Sequence, residues 1–292
     1  TPAESLHLSA AAVSKSLREI ESSLEFSLFE RLPRGMIPTM RGERLIAHAR
    51  LLLHELQGME VEADSRQPML GGQIRLGASP YAAARALPQV LSLFPLGADG
   101  LLPVTVRIQE GHLSLMLEQL HLGQIEALLT LYTAGDLPEV QHDALAVDQL
   151  RPEQIVVLAR PGLLPTGRRK VAWAALNRHA WILPPASTHL RRVLDTMFHL
   201  ESLHPPIPRI EAPHLDGNVR LCAAGLGLTI APMELAREHV DAGTLAVLPM
   251  QRALPESSLA LIYRRASAAF LPGLQELRTA ARLAFPHPVT RS

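Results

Sequence analysis

Apolar residues recur at helical spacing near the start of the chain. After Ser9 they follow one another at steps of four, three and four, a period that predicts a helix with one buried face. The positions are Val13, Leu17, Ile20 and Leu24. Ser9 can accept a backbone N–H and cap the start of this helix.

A second and much longer helical pattern runs from Thr39 to about Ser65. Its apolar positions alternate steps of four and three, as in a two-stranded coiled coil. They are Leu45, Ala49, Leu52, Leu56, Met59 and Ala63. We expect two chains to pair along this seam, because a helix of about 40 Å exceeds what the small preceding module can cover. A long helix packed against its own domain is the alternative.

Short apolar runs alternate with helical patterns beyond Gly72. The runs are QIRLGA, VTVRIQ, EALLTL, QIVVLA, AWIL, PRIEAP, LGLTIA, TLAVL and SLALIYR. This alternation predicts an α/β region whose sheet is largely parallel and covered on both faces. The stretch SRQPMLGGQ at residues 65–73 contains Pro68, Gly71 and Gly72, and it predicts a hinge between the helical part and this region.

Composition narrows the class of protein. The chain has 292 residues, a length that suggests two or three folded units, and 47% of them are hydrophobic, which is enough to fill their cores. Its 28 basic and 28 acidic side chains give no net charge. Binding to nucleic acid or membrane through overall charge is therefore excluded, and any such contact must be local. The single cysteine, Cys222, excludes an internal disulfide and reads as a small buried hydrophobe. With no membrane-spanning apolar run and no secretory signal, we expect a cytoplasmic protein with no membrane partner.

The first helix has the composition of a DNA reader. Opposite its apolar face lie small residues and then cations, at Ala10, Ser14, Lys15 and Arg18. A helix whose accessible start carries small side chains can enter the major groove as the second helix of a helix-turn-helix. On this stretch alone, an ordinary helical hairpin with a solvated polar face is the favoured alternative.

The following stretch predicts a hairpin wing. Phe29 and Glu30 enter one strand, a turn forms around Pro33 to Gly35, and Met36 begins the return. Between residues 31 and 50 the sequence has five arginines and one acidic residue. Positive charge is therefore concentrated where the wing and the following helix can contact phosphates. The arginines are Arg31, Arg34, Arg41, Arg44 and Arg50.

Polar and small residues follow several of the predicted strands. Ligands of open α/β sheets lie beyond the carboxyl ends of strands, where helix N-termini present free N–H groups. The candidates for contact with a small effector are Ser79, Tyr81, Gly111, His112, Thr130, Pro185, Ser187 and Thr188. Simple helix capping is the alternative for Ser79 and Ser187. Gly225 and Gly227 are expected to permit close packing rather than to bind phosphate.

Enzymatic motifs are not found in the sequence. It has no GxSxG, Walker or HExxH motif, and no two of the thirteen histidines are three or four residues apart. We therefore assign no catalytic residue, no metal ligand and no cofactor, and we do not expect an enzyme.

The stretch SLHLSAAAVSKSLREIESSLEFSLFERLPRGMIPTMRGERLIAHAR resembles the winged helix-turn-helix of LysR-type transcriptional regulators, through LHLS, AVS, LFER, PT and GERL. The wing RLPRGMIPT is similar to the subgroup of galactose-binding-protein regulators and regulators of protocatechuate degradation. Two later segments resemble parts of the family's effector-binding domain, namely QIRLGASPYAAARALPQVLSLF and NVRLCAAGLGLTIAPMELA.

The resemblance implies a mixed fold. An all-α winged helix-turn-helix at 1–40 and a linker and dimerisation helix at 41–67 would precede a two-lobed α/β effector-binding domain at 73–288. That domain would resemble periplasmic solute-binding proteins, with lobe I at 73–146 and 252–288 and lobe II at 147–251. The expected partners are double-stranded DNA, a small effector, RNA polymerase and further copies of the chain, as a homodimer or homotetramer.

The chain departs from the family pattern at several positions. The family's first helix would precede the TPAESLHLS segment, so we expect a truncated or impaired DNA-binding module. Ala10 and Ala11 stand where Gln and Pro are frequent, Glu25 replaces a frequent glycine at a helix end, and Arg41 replaces a frequent alanine. The expected DNA contacts are Ser9, Ala10, Ser14, Lys15, Arg18, Arg31, Arg34 and Arg41.

The expected effector is a small carboxylate, an aromatic acid or a sugar. Helix N-termini favour an acceptor group, and the only arginines at the three predicted helix starts are Arg191 and Arg192. Tyr81 and Tyr132 are candidates to stack on a ring. The alternative function is a two-lobed solute-binding protein or an enzyme that does not bind DNA.

Overall fold

The structure is a computed structural model of the chain. It describes residues 10–32, 35–43, 45, 46, 49, 52, 53, 56, 73–133, 136, 137, 144–164 and 170–286. These residues form an N-terminal module, a helical stretch and two lobes.

The described residues of the N-terminal module form the helix α1 (Ala10–Leu24) and a hairpin of β1 (Phe29–Leu32) and β2 (Gly35–Pro38). The strands pair antiparallel, with Leu32 opposite Gly35, which confirms the predicted wing. The predicted apolar face of α1 is not buried in the described part of the chain, because Val13 and Leu17 are only partly buried and Ile20 and Leu24 are 45% and 36% exposed.

All described residues between 40 and 56 are helical. The Thr39 hydroxyl accepts the Gly42 N–H at 3.0 Å and so caps the start of this helical stretch. Leu52 and Leu56, from the predicted seam, are 61% and 54% exposed. Met59 and Ala63 lie outside the described residues.

Lobe I is built on a five-stranded mixed sheet of order β4-β3-β5-β12-β6. Its strands are β3 (Gln73–Ala78), β4 (Thr105–Glu110), β5 (Ala127–Tyr132), β6 (Leu145–Glu153) and β12 (Ser257–Arg264). Its helices are α2 (Pro80–Arg85), α3 (Leu87–Ser92), α4 (Leu113–His121), α9 (Arg265–Phe270) and α10 (Pro272–Ala284). Two apolar clusters fill this lobe, one around Leu76 and Leu277 and the other around Met116 and Ile262.

Lobe II contains a three-stranded sheet of order β10-β7-β11 and the parallel pair β8-β9. Its strands are β7 (Ile155–Ala159), β8 (Ile182–Leu183), β9 (Ile210–Glu211), β10 (Thr229–Pro232) and β11 (Ala246–Val247). Its helices are α5 (Trp173–Leu176), α6 (His189–Leu200), α7 (Leu215–Ala223) and α8 (Met233–Asp241). Phe198 packs edge-on against both Trp173 and Trp181 in its core, with ring centroids 5.4 and 6.1 Å away.

The prediction of a largely parallel sheet is wrong in two respects. In lobe I, β12 runs antiparallel to both β5 and β6, because the chain re-enters this sheet from the opposite end after passing through lobe II. In lobe II, β7 pairs antiparallel with both of its neighbours.

Strand β6 was not predicted, and it moves the lobe boundaries. It lies wholly in the lobe I sheet, so the chain crosses to lobe II at residue 154 rather than at 147. Gln251 still bonds to Val171 in lobe II, and β12 begins at Ser257, which places the return crossing between them. Among the described residues, no helix combines the length and apolar character needed to cross a membrane.

Candidate effector cleft and DNA-binding face

Both lobes contribute to the wall of one cleft. Lobe I supplies residues at the carboxyl ends of its parallel strands, and lobe II supplies residues at the starts of two helices. The lining residues are Ser79, Pro80, Tyr81, Gly111, His112, Leu113, Thr130, Leu131, Pro184, Thr188, His189, Leu190, Pro213 and Leu215.

Six of the eight predicted effector contacts border this cleft, namely Ser79, Tyr81, Gly111, His112, Thr130 and Thr188. Pro185 and Ser187 are not brought to its wall. The turn before α6 explains this, because the Thr188 N–H and hydroxyl both bond back to the Pro185 carbonyl and Ser187 stays exposed. Tyr132 does not border the cleft either, since its ring packs against the lobe I core.

Several helices begin at the cleft. The residues preceding α4, α6 and α7 are His112, Thr188 and His214, and none of the three makes a side-chain capping bond. The first-turn N–H groups of these helices therefore have no side-chain cap and can serve an acceptor on a ligand. Ser79 does cap α2, accepting the Ala82 N–H at 3.4 Å, so its capping role and its place on the cleft coexist.

The cleft is narrow in this conformation. Its volume is about 50 Å³, which is room for only a few water molecules.

His189 is a lining residue that the sequence pattern did not predict. It is 7% exposed, and its Nε2 lies 3.2 Å from the Ser257 hydroxyl, while Nδ1 lies 3.0 Å from Asp136. The order Asp136, His189, Ser257 is that of a catalytic triad. Ser257, however, is 1% exposed and does not border the cleft, so its hydroxyl is not presented to a substrate.

Asp136 is held in its charged form. Burial alone would raise its pKa, but the His189 side chain, the Thr133 N–H at 2.6 Å and the nearby Arg192 outweigh burial and lower the pKa. The other arginine at this helix start, Arg191, pairs with Asp195 on the same helix at 3.0 Å.

Tyr81 is the buried aromatic residue of the cleft. It is 6% exposed and packs into the lobe II core although it belongs to a lobe I helix. Burial, followed by the nearby Glu153 carboxylate, raises the pKa of its phenol, so the hydroxyl stays protonated at neutral pH. Tyr81 is thereby a contact between the lobes as well as part of the wall.

Two structural roles expected in lobe II are confirmed. Cys222 is fully buried, and burial raises the pKa of its thiol to about 12. Gly227 has φ 156°, and a Cβ at that position would lie 2.6 Å from the Ala180 carbonyl oxygen. Close packing therefore requires glycine there.

Of the predicted DNA contacts that the structure describes, Lys15, Arg18 and Arg41 are exposed and Ser14 is partly buried. The Lys15 side chain is 77% exposed and lies 3.8 Å from Glu19, while Arg18 donates to the Ser14 carbonyl at 3.1 Å. Arg41 stacks on Phe26, 5.4 Å from the ring centroid. Ser9 and Arg34 lie outside the described residues, as do the side chains of Ala10 and Arg31.

Both parts of the chain match known protein families. Residues 2–43 match the bacterial regulatory helix-turn-helix protein, lysR family, and residues 69–282 match the LysR substrate binding domain. The chain belongs to the LysR family of transcriptional regulators. It is therefore a DNA-binding regulator with an effector-binding domain, which confirms the fold class and the function expected from the sequence.

Two curated relatives of this LysR-family regulator align with nearly all of it. The SDS degradation transcriptional activation protein of Pseudomonas sp. (strain ATCC 19151) is 29% identical over 94% of this chain and 88% of the relative. The HTH-type transcriptional regulator PcaQ of Agrobacterium fabrum is 28% identical over 96% of this chain and 88% of the relative. Among solved structures, ArgP from Mycobacterium tuberculosis matches with a TM-score of 0.74 at 18% identity, covering 98% of this chain and 91% of that chain.

Proposed function

We propose that the cleft between the lobes binds a small carboxylate, and that its occupancy controls DNA binding by the N-terminal module. An aromatic acid or a sugar acid shares the required acceptor group, whereas a neutral sugar fits less well. The observation that carries the proposal is that three helices begin at the same cleft with no side-chain cap. Their partial positive charge favours an anion, and the scarcity of free arginine there favours a single negative charge.

The effector proposal is tested by calorimetry on the full chain with a panel of small carboxylates. His112→Ala removes a side chain from the cleft wall without removing a capping bond, and Ser79→Ala removes a hydroxyl. Ser187→Ala is the matched control, because Ser187 is exposed and does not border the cleft. Equal binding by all variants would place the effector site elsewhere.

The proposed DNA contacts are Ser9, Ala10, Ser14, Lys15, Arg18, Arg31, Arg34 and Arg41. The exposure of Lys15 and Arg18 on one helix supports base and phosphate contact from that face. Arg34→Ala should weaken binding to all sequences alike and flatten the salt dependence, whereas Arg18→Ala should also relax base preference. Unchanged binding by both variants would overturn the assignment.

We further propose that the chain acts in the cytoplasm as a homodimer or homotetramer that works together with RNA polymerase. The 61% and 54% exposures of Leu52 and Leu56 support pairing along the helical stretch. In lobe I, Ile108 on edge strand β4 and Leu115 on α4 are each about half exposed, which supports a second contact and hence a tetramer. Sedimentation of the full chain tests the assembly, and a monomer would contradict it.

A further inference from the structure

His189 connects the two lobes at the wall of the cleft. It is the first residue of α6 in lobe II, and its Nδ1 lies 3.0 Å from an Asp136 carboxylate oxygen in lobe I. Both side chains are largely buried, 6% and 13% exposed. A contact to a carboxylate that is shielded from water in this way is worth more than one at the surface.

Asp136 makes two further contacts that fix its position. The Thr133 N–H donates to it at 2.6 Å from within lobe I, and Arg192, one turn after His189 on α6, lies 3.4 Å away from its other oxygen. The carboxylate is thus held by lobe I on one side and faces two basic side chains of lobe II on the other.

The other ring nitrogen of His189 contacts the hinge between the two lobes, where β6 ends and β12 begins. Nε2 lies 3.2 Å from the Ser257 hydroxyl, which in turn lies 3.0 Å from the Thr133 hydroxyl. Ser257 is the first residue of β12 and pairs with Glu153, the last residue of β6. These two residues lie where the chain crosses between the lobes.

A second ion pair between the lobes provides a comparison. Arg85 on α2 lies 3.8 Å from Asp216 on α7, and both side chains are about half exposed. An exposed pair at that distance contributes little to holding two bodies together. The contacts of Asp136 are shorter, more numerous and more buried.

We propose that Asp136, His189 and Ser257 form a latch that holds lobe II against lobe I, and that a ligand in the cleft changes the lobe orientation through His189. The second half rests on the proposed function, because it requires a ligand in the cleft. His189 suits this role because it borders the cleft and contacts both Asp136 of lobe I and Ser257 at the start of β12. A ligand changes the populations of the latched and unlatched states only to the extent that it binds one of them more tightly than the other.

Hydrogen exchange measured by mass spectrometry on the full chain, without DNA or ligand, tests the latch. Asp136→Asn should speed exchange about threefold or more in three segments outside its own loop, namely the first hydrogen-bonded amides of α6 at 192–196 and the two strands at 150–153 and 257–260. Ser257→Ala, a milder change, should do the same to a smaller extent. Arg85→Gln is the matched control and should leave these segments unchanged.

Two histidine variants separate the halves of the latch. His189→Asn keeps a donor near the Nδ1 position and should retain slow exchange in α6 while the hinge strands exchange faster. His189→Gln, which keeps a polar group near Nε2, should give the reverse pattern. Thermal unfolding of each variant checks that the fold is retained.

The latch would be overturned if the exchange rates of Asp136→Asn changed only within residues 133–137 and the exchange rates of Ser257→Ala matched those of the wild type. That result would leave the proposed function standing, because calorimetry tests carboxylate binding separately. A wild-type chain that binds no carboxylate, with the exchange pattern as expected, would overturn the ligand-dependent half and support the latch alone.

Discussion

The Glu21 carboxylate accepts the backbone N–H of Leu28 at 2.7 Å, and the same oxygen accepts the N–H of Phe29 at 3.1 Å. One side chain of α1 thereby fixes the start of the wing relative to the helix that we propose reads DNA. The relative placement of helix and wing depends on this contact, because both must reach the duplex together.

Glu21→Ala should leave the two N–H groups without a protein partner and lower the free energy of unfolding of the N-terminal module by about 1–3 kcal/mol. DNA affinity should fall with it, because the wing is no longer fixed. Glu19→Ala is the control, since Glu19 is 65% exposed and makes only a long ion pair. Equal DNA affinity for the two variants would contradict this role of Glu21.

Gly42→Ala should disrupt the N-terminal module more severely. A Cβ on Gly42 would overlap the Leu28 carbonyl oxygen, a backbone atom that cannot move aside cheaply. Gly217→Ala is the matched control, because the position lies in α7 with open space around it, and there alanine should stabilise by about 0.5–1 kcal/mol. Thermal unfolding of both variants measures the difference, and a harmless Gly42→Ala would contradict the close packing.

Glu25→Gly should stabilise the chain by about 1 kcal/mol. Glu25 has φ 59°, in the left-handed region that glycine adopts at helix ends without steric cost. The gain should be visible as a higher unfolding midpoint for the N-terminal module. A loss of stability would mean that the glutamate side chain makes a contribution larger than its backbone strain.

The contribution of Asp136 to stability should depend on pH. Its pKa is lower in the folded chain than its ordinary value of about 3.9, so the charged form stabilises the fold. This stabilisation is complete above the ordinary value and is lost as the pH falls through the lowered one. The difference in unfolding free energy between wild type and Asp136→Asn, measured in urea, should shrink as the pH falls below about 4. A difference that persists unchanged to pH 2 would contradict this account.

The local sequence pattern was sufficient to predict the wing, the nine apolar strands and six of the eight cleft residues. Each of these features depends mainly on residues that are neighbours in the chain. Strand β6 was missed since four of the nine residues in its sequence LAVDQLRPE are polar and it contains Pro152, which an edge strand tolerates. His189 had a local signal, as it directly follows the Thr188 candidate. Its partner Ser257 had none, because the two residues are 68 positions apart and meet only once both lobes have formed.

Titration calorimetry of the full chain with small carboxylates tests the central claim most directly. The account predicts that a carboxylate binds the wild type, that His112→Ala and Ser79→Ala each weaken binding by about tenfold, equivalent to 1.4 kcal/mol, and that Ser187→Ala does not. Binding of undiminished strength in the double variant of His112 and Ser79 would contradict it.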